Sequence, residues 1–156
     1  VNSPLNKFEL VILRTIKRGK NKESIHWSNF FRIDGQIIPM GVIDYWELIR
    51  SLTGEGEFFM ATCSCGEPGC AGIHEGIEVR HINGRTSWRM NFEKPVLKFA
   101  FDTAQYHESV YEGLLAWRKL VTQKTGWLQL GPLFFDRKQL DDCLREAAKA
   151  CGKTMA

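Results

Sequence analysis

Apolar and polar positions alternate through the first stretch of the chain. Between residues 8 and 16, Phe8, Leu10, Ile12 and Ile16 fall on one side of an extended backbone, with Glu9, Leu13 and Thr15 on the other. This pattern predicts a strand with both sides largely covered. Apolar runs at 25–33 and 36–38 then flank Asp34-Gly35. A two-residue Asp-Gly connection predicts a tight hairpin, because both central residues take positive φ. Tyr45, Leu48, Ile49 and Leu52 recur at helical spacing, which predicts a short helix over about 43–52, stopped at Thr53-Gly54.

The middle of the chain returns to strands. Residues 58–65 read as one strand, and Gly66-Glu67-Pro68-Gly69 turns the chain. A second hairpin over 76–82 and 85–92 closes at Asn83-Gly84. The two-residue turn pairs Ile82 with Arg85 and fixes the register. One face then carries Ile77, Val79 and His81 against Thr86, Trp88 and Met90. The other carries Glu78, Arg80 and Ile82 against Arg85, Ser87 and Arg89, with Glu78 opposite Arg89 as a favourable cross-strand pair. Pro95 opens a strand over 96–101.

The last third reads as helical. Asp102, with Gln105 at the capping-box position, opens a long helix whose stripe is Tyr106, Val110, Leu114, Trp117 and Val121. Asp136 with Gln139 repeats that logic for a final helix bearing Leu140, Cys143, Leu144, Ala147 and Cys151, ended by Gly152. Hairpins first and longer helices last predict an α+β fold, a mostly antiparallel sheet packed against one short and two longer helices. With 156 residues, no internal repeat and no linker, residues 1–156 read as a single α+β domain.

Composition adds exclusions. Hydrophobic residues at 44% and charged residues at 25% argue against disorder and collagen-like repetition. No apolar run approaches the roughly 20 residues of a membrane helix, and the apolar stretch over residues 8–16 does not read as a secretory signal, since it alternates with Glu9 and Arg14 and no small-residue cleavage pattern follows it. Five cysteines, an odd number, fit poorly with a fully paired extracellular framework, so a reducing cytoplasm is expected. The net charge is +3. Five cations, Arg14, Lys17, Arg18, Lys20 and Lys22, crowd into residues 14–22, which read as a solvated turn after the first strand. Nucleic-acid binding there is expected to be weak and salt-sensitive.

The sharpest chemical feature is Cys63-Ser64-Cys65-Gly66-Glu67-Pro68-Gly69-Cys70. Strand alternation aims Cys63 and Cys65 to one side, and the glycine-rich turn brings Cys70 back toward them. Three sulfurs could form three corners of a tetrahedral structural zinc site, with His74 as the fourth ligand or His81 in its place. A filled site would contribute on the order of 10 kcal/mol of binding energy coupled to folding. Two other readings stand beside it: a tight turn whose small, soft side chains pack under the helices, and a redox or nucleophilic thiol. Cys143 and Cys151 read as core, and His107, near the start of the long helix, as a surface residue.

An apolar strand running into Thr62-Cys63-Ser64-Cys65-Gly66, then three residues, Cys70, Gly72, and a hairpin with Val79 and Trp88, resembles a pattern in small uncharacterised bacterial proteins. Some of these look like immunity partners of secreted toxins. The resemblance covers about 30 residues and brings no catalytic residues with it. A basic charge departs from the acidic character of inhibitors that mimic nucleic acid.

There is no His-Glu-x-x-His sequence, no phosphate-binding glycine loop and no Gly-x-Ser-x-Gly elbow. The leading expectation is therefore a non-enzymatic, cytoplasmic protein-binding module of the immunity type, with a toxin domain as partner and no membrane. Arg80, Arg85, Arg89 and Trp127 are its candidate contact residues, since Arg and Trp are enriched at binding hot spots. The alternative is a small zinc- or thiol-dependent enzyme, or a nucleic-acid-processing protein, that uses Cys63, Cys65 and Cys70.

Overall fold

The structure is a computed structural model that describes residues 4–122, 128 and 130–155. In chain order its elements are β1 (Phe8–Arg18), β2 (Glu23–Ile33), β3 (Gln36–Ile38), β4 (Val42–Ile43) and α1 (Tyr45–Thr53). They continue with β5 (Gly56–Phe58), β6 (Ala61–Thr62), β7 (Ile77–Ile82), β8 (Arg85–Met90), β9 (Leu97–Asp102), α2 (Thr103–Leu120) and α3 (Arg137–Ala150). The fold is α+β: antiparallel sheets built from hairpins pack against three helices.

Three sheets share the strands. Their orders are β1-β2-β3, β4-β6 and β5-β7-β8-β9. A parallel bridge from Asn6 to Phe101 sets the start of β1 beside the last strand of the largest sheet. Both two-residue turns take the predicted form, with Asp34 and Gly35 at φ 51° and 79°, and Asn83 and Gly84 at 51° and 74°. The β7–β8 register is the one the turn dictates, with Ile82 opposite Arg85 and Val79 opposite Trp88.

Side chains from every layer meet in one core. Phe8, Phe31, Trp88, Phe101 and Tyr106 form an aromatic cluster with neighbouring centroids 4.9–5.6 Å apart. Most of these pairs meet edge to face, the arrangement that the ring quadrupole favours. A second group, Tyr45, Trp117 and Phe135, joins the helices. The α2 stripe is buried as its spacing requires: Tyr106, Val110, Leu114, Trp117 and Val121 are all inside. Gly113 lets α2 lie directly on β1, since a Cβ there would sit 2.8 Å from the Leu10 carbonyl oxygen. Leu140, Cys143, Leu144 and Ala147 of α3 face the same interior, while Cys151 caps the helix half-buried.

Several expectations are corrected. The predicted strand over 58–65 is two short strands in different sheets, because Phe58, Met60, Ala61 and Thr62 are all buried and do not alternate. The first helix begins at Tyr45, since the Asp44 carboxylate accepts from the Trp46 and Glu47 amides, and Ile43 goes to β4. The first strand is covered only at its root. Leu13 and Ile16 are 50% and 49% exposed, and most of the basic stretch is strand rather than turn. Glu78 lies opposite Arg89 but pairs with Arg80, two residues along its own strand.

The capping box at Asp102 is half formed. The Gln105 amide donates to Asp102, but its side chain binds both backbone groups of Phe8 instead of returning to the cap. At Asp136 the same substitution of partners occurs, and Gln139 accepts from the Trp46 indole. His107 is half-buried rather than a surface residue. Its two ring nitrogens face the Leu52 and Ala150 carbonyls, at 2.5 and 3.1 Å, so one ring joins all three helices.

Candidate metal centre at the cysteine turn

The turn begins where β6 ends. Thr62 is buried, and its hydroxyl donates to the Cys63 carbonyl at 2.7 Å. The Gly66 amide also donates to Cys63 O at 3.0 Å, closing a tight turn over Cys63, Ser64 and Cys65. Gly66 sits at φ 92°, in the left-handed region that favours glycine, and the Phe134 ring occupies the space a Cβ would need. Pro68 then starts a single 3₁₀ turn over Gly69–Ala71, with the Ala71 and Ile73 amides both donating to its carbonyl. That turn returns Cys70 to the first two cysteines.

The three Sγ atoms lie within 4.8 Å of one another. Cys63 and Cys65 approach to 2.9 Å, and the Cys65 amide donates to Cys63 Sγ at 3.3 Å. A backbone N–H aimed at sulfur favours the thiolate, the form that binds metal. Hydrogen bonds from the Cys65 thiol, the Cys65 amide and the Cys70 thiol hold the Cys63 thiol below the usual thiol range. Its bonds to Cys63 and Cys65 push the Cys70 thiol up to about 11. Proximity alone therefore makes the first thiolate easy and the last costly.

The donor set fits a thiophilic ion. Zinc–sulfur bonds of about 2.3 Å place tetrahedral sulfurs about 3.8 Å apart. The three sulfurs lie within 4.8 Å of one another, and the Cys63–Cys65 pair, now at 2.9 Å, would open by about 0.9 Å to meet that spacing. Cys63, Cys65 and Cys70 thus form a metal-ligand cluster whose donors suit zinc. All five cysteines are free thiols.

The cluster lies outside the core. Cys63 is half-buried, while Cys65 and Cys70 are exposed, so the reading in which these side chains pack under the helices is overturned. The floor is supplied from far along the chain. The Leu133 amide donates to the Ser64 carbonyl at 2.7 Å, and Pro132 and Phe134 lie against Gly66. Leu133 and Phe134 remain 61% and 45% exposed beside the thiols. Sequence reasoning passed over this strap. Its only signal is an apolar run around Gly131-Pro132 that follows neither helical nor strand spacing.

The two histidines proposed as fourth ligands lie elsewhere. His74 is exposed on the loop beyond the 3₁₀ turn, and among the described residues neither it nor His81 joins the sulfur cluster. His81 is engaged inside the molecule: Nδ1 lies 2.9 Å from the Thr86 hydroxyl, and Nε2 lies 3.0 and 3.1 Å from the Ser51 and Gly54 carbonyls at the end of α1. This is the partner that an imidazole on an apolar strand face requires.

Arg80, Arg85 and Arg89 share one face of the β7–β8 hairpin, opposite the face that carries Val79 and Trp88. Arg80 is tied to Glu78, and Arg89 donates to Asn91 at 2.7 Å. Arg85 is half-exposed. Trp127 lies outside the described residues. No helix among the described residues is long and apolar enough to cross a membrane. No protein-family model matches the chain, and comparison with curated proteins and with solved structures gives no match.

Proposed function

We propose that the protein is a small zinc-dependent protein that works through Cys63, Cys65 and Cys70. The observation that carries this reading is the convergence of three sulfurs within 4.8 Å on an exposed turn, with no fourth side-chain ligand in the cluster among the described residues. Structural zinc sites are generally closed by four protein ligands, whereas three protein ligands leave a position for water or an incoming group. When bound, zinc supplies Lewis acidity at that position. The chain's own contribution is the preformed turn: the Cys65 amide steadies the Cys63 thiolate, and the Leu133–Phe134 strap holds the backbone that carries Cys63 and Cys65. A reducing compartment such as the cytoplasm would keep all three thiols available.

The test is metal content and affinity of protein purified under reducing conditions. One zinc per chain is expected, with its affinity measured against a chromophoric chelator. Cys65→Ser and Cys70→Ser should each lower that affinity at least tenfold while the fold survives, because both side chains are exposed. Acid should weaken binding, by about tenfold per pH unit for each thiol proton the metal displaces. Protein that folds normally and fails to take up zinc at micromolar free metal would end this reading.

The second reading is a protein-binding module of the immunity type. Exposed Leu133 and Phe134, projecting beside the thiol turn, favour it. Its expected result is capture of a toxin domain by the intact protein, with loss of capture in Leu133→Asp.

A further inference from the structure

The first hairpin leaves the body of the molecule halfway along its length. Its register runs from Phe8 opposite Ile33 at the root to Arg18 opposite Glu23 at the tip. The root is buried, but Leu13, Ile16 and Ile25 are 49–50% exposed, and only Trp27 and Ser24 in the distal half are partly covered. Trp27, opposite Arg14, still packs against the core, and from there to the tip the ribbon runs about 15 Å, at about 3.4 Å per residue.

Charge singles out the same segment. Residues 14–22 hold five cations and no acid, against a whole-chain net charge of +3, so the remaining 147 residues sum to −2. The basic character of the protein is therefore the character of this arm. Arg18 is paired with Glu23 at 3.1 Å. Arg14, Lys17, Lys20 and Lys22 are exposed and have no ion pair among the described residues. Alternation puts Arg14 on one face with Ile16, Ile25 and Trp27, and Lys17 on the other with His26, while Lys20 and Lys22 occupy the tip.

We propose that this arm is a docking element for duplex DNA, entering the major groove. A two-stranded ribbon fits a groove about 12 Å wide, whose walls are lined with phosphates. Cations on both faces and at the tip can reach both walls. The exposed Ile16–Ile25 pair supplies an apolar surface of the kind that meets thymine methyl groups on the groove floor. A-form RNA offers no such entry, because its major groove is deep and narrow. The arm carries no zinc ligand, so this proposal stands apart from the metal centre.

The experiment is fluorescence anisotropy of a labelled 24-base-pair DNA duplex with the full chain, across a salt series. Four phosphate contacts predict that affinity falls by about 150-fold between 50 and 200 mM salt. The fourfold variant Arg14→Gln, Lys17→Gln, Lys20→Gln, Lys22→Gln should lose at least 100-fold at 50 mM salt with its thermal melting unchanged. Ile16→Ser with Ile25→Ser should weaken binding about tenfold without altering the salt dependence. Arg80→Gln with Arg89→Gln, on the outer sheet face, should leave affinity within twofold, as should removal of metal by chelation. Absence of binding to DNA at 50 mM salt would overturn the proposal. So would equal binding by the fourfold variant, or tighter binding to an RNA duplex, to poly-glutamate or to vesicles containing 30% phosphatidylserine.

Discussion

The two long hairpins of this protein start from the same sequence signals and end in different surroundings. Both alternate apolar and polar residues, and both close on a positively charged or polar tip. The β7–β8 hairpin is flanked by β5 on one side and β9 on the other, and its inner face of Ile77, Val79, Trp88 and Met90 is fully covered. The β1–β2 hairpin is covered by α2 at its root, and among the described residues most of its distal half is exposed, with Trp27 still packed against the core. Alternation specifies a strand and its register. Whether the apolar face is then buried depends on what other segments reach it, and neither hairpin encodes that by itself.

The comparison is broken most severely at Trp88. It lies at the centre of the aromatic cluster and is 1% exposed. Trp88→Ala is expected to cost about 3–5 kcal/mol, measured as a fall in the urea midpoint. The root of the first hairpin should be intermediate. Gly113→Ala would place a methyl 2.8–2.9 Å from Leu10 backbone and side-chain atoms, and α2 would have to lift off β1. A loss of about 1–3 kcal/mol is expected, and a stability unchanged by this substitution would show the helix–strand contact to be looser than described. The arm itself should respond least. Ile16→Thr with Ile25→Thr, both positions half-exposed, should shift stability by no more than about 0.5 kcal/mol. A large loss would mean that the ribbon folds back on the body.

Local signals were legible where they act over a few residues. The Asp34-Gly35 and Asn83-Gly84 turns, the Asp102 and Asp136 caps and the α2 stripe all follow from spacing and turn chemistry. Partners chosen across the fold were not. Gln105 and Gln139 occupy capping-box positions, yet tertiary neighbours, Phe8 and Trp46, outcompete the local bond. Glu78 could reach either Arg89 across the strands or Arg80 along its own, and rotamers decided for Arg80. At the candidate site the three thiols converge as their spacing suggested, though through a turn and a 3₁₀ segment rather than along a strand. His81 was a reasonable ligand by position on the hairpin. Its imidazole is instead taken by Thr86 and by carbonyls that only the folded end of α1 presents.

The bond from the Leu133 amide to the Ser64 carbonyl joins positions nearly seventy residues apart, in the stretch that leads into α3. The thiol loop and the C-terminal third are consequently one mechanical unit. A deletion ahead of Asp136 would strip the support from beneath the loop even with every cysteine intact, and tightening around an ion would be felt at the entrance to the last helix.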